Sequence, residues 1–331
     1  MTPYLEIGGD YHEVLPGAYL VELPLPFSLG LINVYLVRLA EGWLLVDCGM
    51  DTPACQSALA RALEGLDIAF TDIRILLLTH FHPDHMGLAQ RVREHSGARL
   101  YLHGADEETL AHICDLDRYP PWHTGVLSSA GVPAPMIDAI VASMAEVQRS
   151  FHPLVADVRL AGGERIEGAH GCLEVVWTPG HSRGHVCLYS AAQRFLVSGD
   201  HILEHISPNI GWDPDRDALG EYLASLETVA RLDIDLLLPS HGAPFRGHRE
   251  WVARTRRHHE ERCGEITTAL GAGRRSAHEL VGALWTRELS PFHYRFAIFE
   301  VLAHLEYLRH RGRVEACEAD GVIRWRRREP I

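Results

Sequence analysis

Thr79-His80-Phe81-His82-Pro83-Asp84-His85-Met86-Gly87 sets three histidines and one aspartate within six positions, directly after the apolar run Ile75-Leu76-Leu77-Leu78. An aliphatic run of that length reads as a buried strand. The polar cluster therefore falls where a strand gives way to a loop, with a helix expected from Leu88 onward. Imidazole nitrogens and a carboxylate converging at a strand end are ligands of the kind that hold zinc, iron or manganese. A histidine-rich surface turn is the plainer reading in a chain with 22 histidines. Three of them with an aspartate at one strand-loop junction outweigh it.

The same placement recurs along the chain. Cys172-Leu173-Glu174-Val175-Val176-Trp177 leads into Thr178-Pro179-Gly180-His181, Phe195-Leu196-Val197 into Ser198-Gly199-Asp200-His201, and Leu236-Leu237-Leu238 into Pro239-Ser240-His241-Gly242. Each apolar strand ends on a ligand-type side chain with glycine beside it. Trp43-Leu44-Leu45-Val46 similarly ends on Asp47. The next helix, about Pro53 to Leu63, has Asp51 or Thr52 for its cap, which leaves Asp47 free for the site. His103 continues the strand from Ala98 and reads as structural.

Outward from these junctions, alternating strands and helices make an α/β unit over residues 1–247. Residues 105–152 interrupt it with two helical stretches and no strand signal. In the second, Met136, Ile137, Ile140, Val141, Met144 and Val147 recur at helical spacing. The stripe is either core or a cap over the site, in which case Met136, Ile140 and Met144 line the substrate pocket with adaptable side chains. Residues 248–331 differ in character. A long polar helix is followed by the capping box Ser276-Ala277-His278-Glu279, an amphipathic helix from Pro291 to His310, and two strands flanking Asp320-Gly321. Helix, helix and hairpin in that order describe a winged-helix module, which binds DNA or RNA in some settings and in others forms a dimer contact or a lid.

Composition narrows the partners. All 31 basic residues are arginine and the net charge is −13. That balance opposes non-specific binding to nucleic acid or an anionic membrane. Sixteen arginines against twelve acids from His248 onward make that part +4, leaving −17 for the rest. Arg324, Arg326, Arg327 and Arg328 are either a nucleic-acid contact or a solvated edge that discourages strand pairing. Seven scattered cysteines without a CxxC pair point to reduced thiols, and neither a signal peptide nor a membrane-length apolar run is visible. The expectation is a cytoplasmic protein, with a homodimer among the roles open to its C-terminal module.

The motif His80-x-His82-x-Asp84-His85, with His181, Asp200 and His241 following in order and Val46-Asp47-x-Gly49 before it, resembles the metallo-β-lactamase superfamily across most of the first 247 residues. The resemblance implies a four-layer αβ/βα sandwich with a metal site at one edge between two sheets. It implies that His80, His82 and His181 hold one ion, that Asp84, His85 and His241 hold a second, and that Asp200 bridges them. Seven ligands suit two ions sharing a carboxylate, each with an open position, better than one tetrahedral ion. Two zinc ions are expected, with iron or manganese as alternatives, activating a bridging hydroxide. Asp84 would orient the nucleophile or pass a proton to the leaving group, and Asp47 would accept the second ring N–H of a ligand histidine. His201 and His205 are either substrate contacts or surface residues.

Within the superfamily the pattern looks closer to hydroxyacylglutathione hydrolases of the glyoxalase II type and related thioesterases than to a β-lactamase. Those enzymes use a lysine among their glutathione contacts, and this chain has none. Homoserine-lactone hydrolases share the seven-ligand set, and the C-terminal module resembles that of lactamase-like proteins including a single-strand endoribonuclease. The expected function is a two-metal hydrolase of a small acyl substrate, a thioester, ester or lactone. The alternative is a phosphodiesterase of single-stranded nucleic acid.

Overall fold

The computed structural model describes residues 11–26, 30–205 and 207–328. The apolar runs of the first half form a seven-stranded sheet in chain order: β1 (Tyr11–Leu15), β2 (Ala18–Pro24), β3 (Leu31–Arg38), β4 (Trp43–Val46), β5 (Ile73–Leu77), β6 (Arg99–His103) and β7 (Val158–Leu160). The first four pair antiparallel and the last four parallel. The connections dictate this change, because parallel neighbours need a crossover long enough to return the chain. Helix α1 (Pro53–Gly65) crosses from β4 to β5. Helices α2 (Pro83–Met86) and α3 (Ala89–Ser96) cross from β5 to β6, and α4 (Gly104–Cys114), α5 (Tyr119–Ser129) and α6 (Ala134–Gln148) from β6 to β7.

The second sheet has the order β12-β11-β10-β9-β8. Its strands are β8 (Arg165–Gly168), β9 (Gly171–Trp177), β10 (Val186–Ser190), β11 (Phe195–Gly199) and β12 (Leu236–Pro239), and α7 (Ala218–Ala230) links the parallel pair β11 and β12. Strand periodicity sorts the side chains into layers. Leu44 and Val46 point between the sheets and meet Val175, Leu188, Phe195 and Val197. Trp43 and Leu45 point the other way, with Ala58, Leu59 and Leu63 of α1 and Val92 of α3. Behind the second sheet, Leu196 and Leu237 pack on Leu219, Tyr222 and Leu226 of α7. Helix, sheet, sheet and helix are thus stacked around three apolar seams. Each fully buried Leu or Val in them contributes about 1.5–3 kcal/mol.

The C-terminal part consists of α8 (His248–Leu270), β13 (Arg275–Ser276), α9 (Ala277–Leu284), α10 (Pro291–His310), β14 (Val314–Ala319) and β15 (Val322–Arg327), with a small sheet in the order β13-β15-β14. Ser276 Oγ accepts from the Glu279 amide at 3.2 Å and Glu279 Oε2 accepts from the Ser276 amide at 2.7 Å, which starts α9. Among the described residues, no helix is long and apolar enough to cross a membrane.

The segment 105–152 departs from the expectation in two ways. It contains three helices, because Pro120 and Pro121 sit in the first turn of α5, where a missing amide hydrogen costs nothing. It also divides between two cores. Leu110 and Ile113 of α4 join the first sheet's core, whereas Leu127, Ile137 and Ile140 join Cys263, Ile298, Leu302 and Trp325 of the C-terminal part. Ile140 is fully buried there and lines no opening, and Met136 and Met144 pack against the same cluster. Ile137 and Ile140 are core, which corrects the pocket role expected of Ile140, while Met136, Val141 and Met144 are partly buried at the margin of that cluster. An amphipathic face announces that it will be covered, not by what.

Candidate metal centre

Strand direction gathers the polar residues. β9, β11 and β12 run the same way in their sheet, so the residues after each emerge at one edge. His181 follows β9, Asp200 follows β11 and His241 follows β12, and they face the loop that His80 and His82 occupy after β5. His82 is the residue before α2, Pro83 opens that helix, and Asp84 and His85 lie in its single turn. One seam, between β3 and the turn after β12, holds the edges together. The Asn33 amide donates to the Ser240 carbonyl at 2.7 Å, and its Nδ2 donates to the carbonyls of Pro239 at 3.0 Å and Gly242 at 2.7 Å. Tyr35 Oη donates to the same Pro239 carbonyl at 2.7 Å.

The seven side chains form two groups, His80, His82, His181 and Asp200 in one and Asp84, His85 and His241 in the other, with ligand atoms within 4.8 Å of one another in each. In the first, His80 Nε2 lies 2.8 Å from His82 Nδ1, and His181 Nε2 lies 3.3 and 3.1 Å from these two atoms. In the second, Asp84 Oδ2 lies 3.3 Å from His241 Nε2 and 3.8 Å from His85 Nε2. Asp200 faces both: Oδ2 is 3.6 Å from His181 Nε2, and Oδ1 is 3.5 and 3.6 Å from Nε2 of His85 and His241.

Hydrogen bonds on the far side of four of the five rings assign their tautomers. His181 Nδ1 donates to the Asn209 carbonyl at 2.8 Å, His241 Nδ1 to the Leu31 carbonyl at 3.0 Å, and His85 Nδ1 to Asp47 Oδ2 at 2.8 Å. His80 Nδ1 donates to Thr79 Oγ1 at 3.1 Å, while that hydroxyl donates to Asp47 Oδ2 at 2.8 Å. When these four rings are neutral, their Nε2 lone pairs are turned inward. Nε2 of His85 and His241 and Oδ1 of Asp200 are buried without a hydrogen-bond partner. Leaving each such atom unsatisfied costs about 1–3 kcal/mol. Converging ring nitrogens and buried polar atoms without partners fit a divalent cation, and an imidazole and carboxylate set is the chemistry such an ion takes.

The electrostatics divide along the same line. Burial, then the neighbouring imidazoles, hold His80 well below its usual value, and burial and His181 bring His82 down to about 3. In the other group burial is overcome. Asp47, Asp200 and Asp84 hold His85 well above the usual imidazole value, and Asp200 and Asp84 raise His241. Burial opposes ionisation of Asp200, but His85 and His241 keep its pKa well below the ordinary carboxylate value. A ring that must give up a proton to bind metal makes affinity rise with pH.

Asp47 is buried at φ +59, a backbone conformation that aspartate tolerates better than most residues. Besides His85 it accepts from the Thr79 amide at 2.7 Å, so one carboxylate fixes the loop and a ligand ring together. Three further residues carry structure that their local sequence does not signal. His185 Nε2 accepts from the Asp200 amide at 3.1 Å, and its Nδ1 pairs with Thr178 Oγ1 at 2.8 Å. A Cβ on Gly199 would come within 2.7 Å of that Nε2, so only glycine admits the approach. Thr79 links Asp47 to His80. Asp106, buried in the first turn of α4, accepts from Ser182 Oγ at 2.7 Å and the Gly184 amide at 2.6 Å. Burial pushes its carboxyl up to about 6 against those hydrogen bonds.

Other expected residues fall elsewhere. His201 is fully buried, its ring against Tyr222 with centroids 5.2 Å apart, and it presents no surface to a substrate. Adjacency to Asp200 had suggested a contact, but the chain turns the next side chain into the core. His205 is exposed and pairs through Nε2 with Glu204 at 3.0 Å. His103 accepts from the Ala105 amide and stacks on Trp177, a structural role as expected.

Two family models match this architecture: the metallo-beta-lactamase superfamily over residues 28–241, and the metallo-beta-lactamase-like C-terminal domain over residues 263–328. The chain belongs to the metallo-β-lactamase superfamily. It is 26% identical over 234 residues to the probable metallo-hydrolase YqjP of Bacillus subtilis, covering 68% of this chain and 71% of that protein. Among solved structures it is similar to a metallo-beta-lactamase family protein from Thermus thermophilus, at 32% identity and TM-score 0.82 over 96% of this chain and all of that one. A beta-lactamase domain protein from Burkholderia ambifaria matches at 32% identity and TM-score 0.86, covering 99% and 98%.

Proposed function

We propose that this metallo-hydrolase cleaves a small acyl substrate, a thioester or ester with lactones included, at a centre of two divalent ions, zinc before iron or manganese. His80, His82 and His181 hold one ion, Asp84, His85 and His241 the other, and Asp200 is shared. The observation that carries this reading is the position of Asp200, whose two oxygens face different histidine groups. Ions bound there supply Lewis acidity toward the acyl oxygen and acidify water. Asp84, beside His241 and within the second group, would accept at a carboxylate oxygen the proton that the attacking water gives up and return it to the departing thiol or alcohol. Asp47 and the Asn209 carbonyl keep His85 and His181 in the tautomer that binds.

The nucleic-acid alternative relies on the C-terminal module, read as a winged helix. Its hairpin arginines are largely paired. Arg324 meets Glu279 at 3.1 Å, Arg326 pairs with Glu315, and Arg328 lies 3.4 Å from Glu315. Paired guanidinium groups have less to offer phosphates. The test is metal analysis of purified protein with turnover of acyl thioesters, lactones and single-stranded RNA measured side by side. Hydrolysis of an acyl substrate with two ions per chain is expected, and Asp200→Ala should lose both turnover and metal. RNA cleavage without acyl hydrolysis would overturn the substrate class. Full activity of Asp200→Ala would overturn the shared-carboxylate centre.

A further inference from the structure

Three segments far apart in sequence meet at one buried carboxylate. Asp106 enters from α4, which follows β6, while the ligands nearest to it ride on the loops after β5 and β9. Its Oδ2 accepts from Ser182 Oγ at 2.7 Å and its Oδ1 from the Gly184 amide at 2.6 Å, immediately after His181. The amide of Phe81, between His80 and His82, is turned toward this carboxylate closely enough to favour its ionised form. The packing is close as well as polar. A Cβ on Gly184 would come within 2.8 Å of the Asp106 amide nitrogen and of His103 Nδ1, so the turn after His181 is pressed against the start of α4.

We propose that Asp106 is a positioning residue that clamps the His80–His82 loop to the His181 loop and thereby sets the spacing of the three imidazoles in the first group. The clamp rests on the metal-centre reading above. It touches no ligand ring, and acts through the backbone and Ser182. Its neighbour provides a built-in comparison. Glu107, one residue along the same helix, pairs with Arg159 through two 2.9 Å contacts and reaches neither ligand loop.

The test uses the full chain loaded with Co2+, reading its visible absorption and its affinity by chelator competition. Asp106→Ala should weaken Co2+ binding about 10–100-fold, the range found when the residues that orient ligands are removed, and should shift the absorption bands. Asp106→Asn, which keeps one carbonyl acceptor, should recover part of both. Glu107→Gln, breaking the Arg159 pair, should leave affinity and spectrum unchanged even where it lowers the melting temperature. If Asp106→Ala does not fold, Ser182→Ala with Asp106→Asn carries the test, each weakening binding less than tenfold with a spectral shift. Co2+ affinity and spectrum matching the parent in these variants would overturn the clamp, as would an equal loss in Glu107→Gln. Failure of the parent protein to bind Co2+ would instead overturn the metal-centre reading itself.

Discussion

His181 donates its Nδ1 proton to the carbonyl of Asn209 at 2.8 Å. Three residues on, the segment carrying that carbonyl is anchored to the C-terminal part, where Trp212 packs against Phe299 of α10 with centroids 6.4 Å apart. Arg183 adds a two-pronged contact to Asp213 at 2.6 and 2.7 Å. One ligand ring is therefore oriented by a strap whose other end belongs to the C-terminal core.

Trp212→Ala should reach the metal site without touching it. With the strap loosened, metal bound per chain should fall, and hydrolytic rate should drop about tenfold or more. Metal content and thermal denaturation of the same preparation check this. Unchanged metal content with a lower melting temperature would make Trp212 a packing residue alone.

Asp47→Asn preserves the shape and the tolerance for positive φ, but it removes the charge that accepts from His85, Thr79 Oγ1 and the Thr79 amide. Metal affinity should fall about 10–100-fold with little change in the fold. Asp47→Ala leaves those donors buried and unmet, at about 1–3 kcal/mol each, and should also unfold at a clearly lower temperature. Chelator competition and calorimetry separate the two effects.

A pH effect is expected well away from the metal site. His304 Nδ1 donates to the Glu300 carbonyl at 2.7 Å, so its Nε2 accepts from His259 Nδ1 at 3.1 Å. Burial, then the neighbouring positive groups, lower His259 to about 3 and His304 to about 4. The unfolded chain takes up these protons near pH 6.5, whereas the folded one resists them. The stabilising contribution is complete above about pH 6.5 and is lost as pH falls toward those lowered values. Replacing both rings by leucine should flatten the decline of melting temperature between about pH 7 and pH 4. An equally steep decline would assign acid sensitivity to other groups.

Ending the chain at residue 247 should not release an independent catalytic unit. Leu127, Ile137 and Ile140 would lose their partners on α8, α9 and α10, each exposing apolar area worth about 1.5–3 kcal/mol. Poor recovery of the shortened chain and strong binding of a hydrophobic dye are expected. A well-folded, monomeric fragment would contradict the shared core.

The strand-end rule reached far because it is local. An apolar run followed by a ligand-type residue and glycine marks the edge of a sheet, and the seven residues so marked are those the fold gathers. Asp47 was legible on the same grounds. What failed to show depends on distant contacts or on rotation within a turn. Asp106 lies 78 residues from the Gly184 amide it holds, and nothing near it in sequence announces that. His201 was misread because adjacency to Asp200 says nothing about which way the next ring turns. The periodicity of Met136, Ile140 and Met144 gave a buried face, but its partner lies beyond residue 248.

The first histidine group has a kinetic meaning. Its inward nitrogens stand 2.8 to 3.3 Å apart, and hydrogen bonds to Thr79 and Asn209 hold the rings of His80 and His181 from behind. Two of the three rings are therefore oriented by contacts that do not depend on an ion. An arriving ion would have chiefly the His82 ring left to arrange, so capture should be rapid, with discrimination set by ionic radius and preferred geometry.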